Sequence, residues 1–191
     1  MSLRSLLLIR GENKKDVPLG EELSFEVLLS QVLERLWSFA YKLTSQQIQA
    51  EDLFQEGVLK AFQAFGVLQD KGKFRSWIFQ ILHRTWISTY RKKAHFLDIP
   101  LNEDLFINNN SWDLFPWDEN GEKFGEEVEV QLNSLVPEFR EVIWLKYVED
   151  FNYQEIAKIL NVSEGTVASR LFRAKELLKE KLMTHAKEKG W

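Results

Sequence analysis

The side chains best placed to do chemistry lie in residues 152–175, NYQEIAKILNVSEGTVASRLFRAK, and the chemistry they suit is recognition rather than bond making. Thr166, Ser169, Arg170, Arg173 and Lys175 supply hydroxyl, guanidinium and ammonium donors within three turns of one predicted helix. Such groups address base edges and phosphates. Elsewhere the residues of catalysis are missing. The sequence holds no glycine-rich phosphate loop, no nucleophile elbow and no paired catalytic carboxylates with a base. His83, His95 and His185 are far apart and have no acidic or histidine partner at ligand spacing, so neither a metal site nor any cofactor is expected. The reading is of a protein that is not an enzyme.

Two short elements must position those donors. Asn152 can cap a helix, with Glu155 closing a capping box, and Ile156, Ala157, Ile159 and Leu160 then share one face. After a turn at Asn161 and Val162, Ser163 repeats the cap. Val167, Leu171, Ala174, Leu178 and Leu182 continue at spacings of three and four, which leaves the donors toward water or a ligand. A helix of about two turns, a tight turn and a longer helix rich in small polar and basic residues make a helix-turn-helix, whose second helix enters the DNA major groove.

The 191-residue chain is long enough for one or two domains, and its 45% hydrophobic and 28% charged residues are ordinary for a globular protein. No apolar run reaches the roughly 20 residues of a bilayer span, and MSLRSLLLIRGENKK lacks a signal-peptide cleavage site, so membrane insertion is not expected. With no cysteine there is no disulfide framework, which suits a cytoplasmic protein. The net charge of −4 is unevenly spread. Residues 98–129 hold ten acids against Lys123 alone, a net of −9, so the remainder is +5. Residues 69–95 carry seven bases and one acid. A basic block, an acidic middle and a DNA-reading end suggest three different partners.

In chain order, residues 1–20 read as an arm without clear periodicity. A helix from Ser24 carries the stripe Phe25, Leu28, Leu29, Val32, Leu33, Leu36, Trp37, Ala40 and Leu43. A second helix from about Gln49 to Phe65 places Leu53, Phe54, Val58, Ala61, Phe62 and Phe65 inward. Glu51, Asp52, Gln55 and Glu56 near its start can serve the helix dipole. A polar loop over 66–72 leads to a third helix, about Lys73 to Lys93, with the stripe Phe74, Trp77, Ile78, Ile81, Leu82, Trp86 and Ile87 and a basic end. Phe74 and Trp77 can be core residues or, beside positive charge, stacking platforms for a single strand. Residues 97–127, acidic and broken by Pro100, Pro116, Gly121 and Gly125, read as a linker. A helix from Glu138 to about Val148 precedes the helix-turn-helix. The expected fold is all-α: two small bundles, 21–96 and 128–191, joined by the long acidic linker.

Three stretches resemble a known family. AEDLFQEGVLKAF (50–62) resembles AEDLVQEVFLRAF of bacterial RNA polymerase sigma factors of the extracytoplasmic-function (ECF) kind, and KFRSWIFQILHRTWISTYRKK (73–93) is similar to their FRSWLYRIARNLALDYLRRR. LVPEFREVIWLKYVEDFNYQEIAKILNVSEGTVASRLFRAKELL (135–178) resembles their carboxy-terminal domain nearly end to end. The resemblance implies a polymerase subunit for promoter recognition, melting and initiation, with core RNA polymerase (its largest and second-largest subunits), promoter DNA and an anti-sigma factor as partners. It implies that Asp52, Gln55 and Glu56 dock on the polymerase. Leu68, Lys73, Phe74, Arg75, Trp77, Arg84 and Arg91 would capture and hold open the minus-ten element. Thr166, Ala168, Ser169, Arg170, Phe172, Arg173 and Lys175 would read the minus-thirty-five element. Ala168 stands where the family has a basic residue, and Arg84 where asparagine is common. The competing reading is a free-standing helix-turn-helix regulator that binds duplex DNA without a polymerase.

Overall fold

The computed structural model describes residues 24–44, 46–96 and 126–188. The expected arm (1–20) and nearly all of the expected linker lie outside them. Among the described residues the elements are all helical: α1 (Phe25–Thr44), α2 (Gln47–Ala64), α3 (Phe74–Phe96), α4 (Glu126–Asn133), α5 (Pro137–Tyr147), α6 (Tyr153–Leu160) and α7 (Glu164–Glu188), with short 3-10 turns at Phe65–Val67 and Lys71–Lys73. The all-α expectation holds.

In the first bundle, α1 buries Phe25, Leu28, Leu29, Val32, Leu36 and Ala40 of the expected stripe and adds Phe39, while Leu33, Trp37 and Leu43 of that stripe are only partly buried. Ser24 Oγ accepts from the Val27 amide at 3.4 Å, a long cap bond. The α2 helix begins two residues earlier than its sequence signals suggest, after Gln46, which makes no side-chain cap. Glu51 and Asp52 therefore fall beyond the first turn, where the helix dipole offers them little. Gly57 allows α2 and α3 to meet closely, because a Cβ there would lie 2.6 Å from Leu82 Cδ1. Phe62, expected inward, is 55% exposed.

In the second bundle, Pro137 opens α5, where its missing amide costs no helical bond. The α6 helix has the expected capping box: the Glu155 amide donates to Asn152 Oδ1 and the Asn152 amide to Glu155 Oε2, both at 2.9 Å. Such a cap contributes about 1 kcal/mol. Asn161, in the left-handed region at φ 56°, ends α6 and turns the chain into α7. Ile156, Ala157, Ile159 and Leu160 are buried, as are Val167, Leu171 and Ala174 of α7.

The bundles share a core. The α3 helix packs along α6, and buried side chains of both bundles form one apolar cluster. Phe79, absent from the stripe read in the sequence, is fully buried between Phe39 of α1 (centroids 5.2 Å apart, stacked) and Phe151 of the second bundle (5.2 Å, edge-on). Full burial of a large apolar side chain stabilises by roughly 1.5–3 kcal/mol.

Candidate nucleic-acid interface

The entry to α7 is rigid. Ser163 Oγ accepts from the Thr166 amide at 3.0 Å and bonds the Thr166 hydroxyl at 2.8 Å, so Thr166 is committed to the cap. One turn on, Ala168, Ser169, Phe172 and Arg173 are exposed together, Phe172 at 67%. That face combines a guanidinium, a hydroxyl and two apolar groups, the set able to meet guanine edges, phosphates and thymine methyls. The Ser169 hydroxyl also donates to the Thr166 carbonyl at 3.0 Å, and the remaining two donors have partners on another helix. Arg170 Nη2 lies 2.7 Å from Glu138 Oε2 and ties α7 to α5. Lys175 lies over the Tyr147 ring at 5.3 Å, and its hydrogen bond with that tyrosine raises its pKa above the usual lysine value.

The expected minus-ten group is divided. Phe74 is 2% exposed and packs edge-on against Phe25 and Phe65, within the core of the first bundle. Lys73 is at the surface, 3.0 Å from Asp70, whose carboxyl is held below its ordinary range by the Lys73 hydrogen bond and by the Gly72 amide. Leu68 and Trp77 are half-buried and Arg84 is exposed. Arg75 turns away toward Glu149 of the second bundle. The Arg91 side chain lies outside the described residues. Lys71, not singled out from sequence, donates to the Phe65 carbonyl at 3.1 Å and sits 3.4 Å from the centre of the Phe65 ring.

On α2, Asp52, Gln55 and Glu56 are exposed, with Glu56 paired to Lys60 at 2.7 Å. The sequence reading missed their neighbours. Ile48 and Leu59 are 75% and 56% exposed, and with Phe62 they extend Asp52 and Gln55 into one face at spacings of four, three, four and three. The available signal was that spacing, set opposite the buried residues Ala50, Leu53, Phe54, Gly57 and Ala61. Among the described residues no cluster of three metal-ligating side chains occurs. Nor is any helix there long and apolar enough to cross a membrane. His83, read from sequence as lacking an acidic partner, is buried 3.8 Å from Glu141.

Comparison with known proteins bears directly on these surfaces. Residues 28–96 match the family model for sigma-70 region 2, and residues 125–178 match that for sigma-70 region 4. The ECF RNA polymerase sigma factor SigL of Mycobacterium tuberculosis is 32% identical over 145 residues, covering 75% of this chain and 80% of that protein. The chain belongs to the ECF sigma factors. SigW of Bacillus subtilis, another ECF sigma factor, is 26% identical over 175 residues, covering 88% of the chain and 94% of the relative. SigE of Mycolicibacterium smegmatis is 30% identical over 172 residues, 86% of the chain, but the chain spans 64% of that protein's length. Among solved structures, the sigma factor RpoE of Bartonella quintana, in complex with the anti-sigma factor NepR, matches with a TM-score of 0.66 and 28% identity, covering 85% of this chain and 98% of that one. Within this ECF sigma factor, α1–α3 correspond to region 2 and α4–α7 to region 4, so the helix-turn-helix lies in region 4.

Proposed function

We propose that the chain binds core RNA polymerase in the cytoplasm and directs it to promoters, acting as a specificity subunit with no chemistry of its own. The observation that carries this is the pairing, in one chain, of a polymerase-type region 2 with a region 4 whose α7 exposes Ser169, Phe172 and Arg173. A regulator that works without polymerase would need the helix-turn-helix but not region 2, so that alternative is not favoured.

Four parts divide the work: an amino-terminal arm (1–20), a domain for docking and melting (21–96), a linker (97–127) and a domain for the upstream element (128–191). The α2 face docks on the polymerase. Its 4-3-4-3 spacing is the seam that a helix presents to a coiled coil, with Asp52 and Glu56 adding charge to the apolar Ile48 and Leu59. Surface groups around α3, namely Leu68, Lys73, Trp77 and Arg84, meet the opened minus-ten element. Unstacking there costs a few kcal/mol and is offset by stacking and phosphate contacts. Ala168, Ser169, Phe172 and Arg173 read the minus-thirty-five element, while Thr166 and Arg170 hold α7 in place. The complex of the Bartonella RpoE with NepR supports an anti-sigma factor as a third partner.

Arg173→Ala is the direct test of the reader. It is expected to weaken use of the preferred minus-thirty-five sequence by about 1–3 kcal/mol and to relax base preference at one position. Competition transcription with a library randomised in that element measures both. An equal loss on every sequence would make Arg173 a phosphate contact, and no loss would remove it from the interface.

A further inference from the structure

Among the described residues of the first bundle, the large apolar side chains left exposed are Ile48, Leu59, Phe62 and Val67. Three of them share the outer face of α2, and Val67 follows in the 3-10 turn at its end. The core beneath is already filled, with Leu36, Phe39, Phe54 and Phe79 at 2% exposure or less. An apolar strip rimmed by polar residues marks an interaction surface. Core polymerase covers it in the complex proposed above, but not in the free chain.

Residues 3–10 lie outside the described residues, and their sequence, LRSLLLIR, holds five apolar residues, two arginines and no acid. That composition complements the α2 face. Residues 47–64 carry Glu51, Asp52 and Glu56 against Lys60, a net of −2, whereas residues 1–15 carry Arg4, Arg10, Lys14 and Lys15 against Glu12, a net of +3. Position agrees with charge. Phe25, the first residue of α1, meets Phe62 edge-on with ring centroids 5.4 Å apart, so the chain enters α1 beside the carboxy-terminal end of the face. The intervening residues 11–23 can span at most about 45 Å, and the face from Ile48 to Phe62 is only about 21 Å long at roughly 1.5 Å per residue.

We propose that residues 3–10 seat on the α2 face of the same chain, with their leucines over Ile48, Leu59 and Phe62 and with Arg4 and Arg10 beside Asp52 and Glu56, and that polymerase must displace them. The covering stands by itself; only the displacement rests on the docking role given above. Other occupants fit less well. Residues 98–129, at a net of −9, would bring acid to an acidic face, and so would α2 of a second copy. Tethering sets the local concentration of the segment on the order of 1 mM. A contact with an intrinsic dissociation constant on the order of 0.1 mM then keeps the face covered in roughly nine chains of ten, which lowers the apparent affinity for polymerase about ten-fold.

The sequence has no cysteine, so Ser5→Cys in the full chain takes a nitroxide at a single position. The label is expected to broaden the amide signals of Gln55, Leu59 and Gln63 on α2, and Leu6→Asp with Ile9→Asp is expected to restore them. Labelled chain mixed with unlabelled, nitrogen-15 chain is expected to leave those signals sharp. Removal of residues 1–10 is expected to raise the affinity for core polymerase about ten-fold. Undisturbed α2 signals in the labelled chain would overturn the proposal, whether the segment stays idle or binds phosphatidylglycerol vesicles instead. Broadening that survives the two aspartates would overturn it as well, and so would broadening in the mixed sample, where the segment reaches another copy. Broadening in the labelled chain with no change in polymerase affinity on removal of residues 1–10 upholds the covering and refutes the docking of polymerase on α2.

Discussion

Phe79→Ala is expected to lower the unfolding free energy by about 3–5 kcal/mol, read as a fall in the denaturant midpoint of the full chain. That is a large share of the roughly 5–15 kcal/mol by which typical domains are stable. The size follows from position. Phe79 is fully buried, stacked on Phe39 of its own bundle and edge-on to Phe151 of the other, so truncation opens a cavity where α1, α3 and the α5–α6 connection meet. Phe62→Ala is the matched control. It removes the same ring from a site 55% exposed, where the loss is an edge contact with Phe25 and should stay under about 1 kcal/mol. Equal losses in the two variants would mean that Phe79 does not join the bundles.

The second large effect is on assembly. Asp52→Arg is expected to weaken binding to core polymerase by at least about 30-fold, or roughly 2 kcal/mol, in a titration of labelled chain with core enzyme. Stability should change by no more than about 0.5 kcal/mol, because Asp52 is exposed and lies beyond the first turn of α2. The position sits amid the Ile48, Gln55, Leu59 and Phe62 face, so the new charge falls inside the docking surface. Unchanged affinity would move docking elsewhere.

What the sequence made legible was local. The Asn152 and Glu155 capping box needs only four residues, and the apolar faces of α6 and α7 repeat within two turns, so both were readable before any packing was known. Phe79 was not, since it stands off the main stripe of α3 and is buried by Phe39 and by Phe151, 72 positions downstream. Glu149 fails for a related reason: a carboxylate between two helices reads as solvated loop until Arg35 and Arg75 are brought to it. The ion pair of Arg170 with Glu138 was equally illegible, because helical periodicity along α7 cannot show a residue of α5 facing it. The start of α2 was misplaced because Gln46 forms no side-chain cap, so the usual signal is missing there. Phe62 was taken as inward by counting it with Leu53 and Phe54; the face containing Ile48 and Leu59 was lost with it.

The central claim is that this chain makes core polymerase promoter-specific. Transcription in vitro with purified core enzyme and a pool of promoter fragments tests it most directly. With the chain added, initiation should rise on a subset of fragments sharing a minus-ten and a minus-thirty-five element, and on those only. A folded preparation that stimulates initiation at no sequence, or at all sequences alike, would contradict the account.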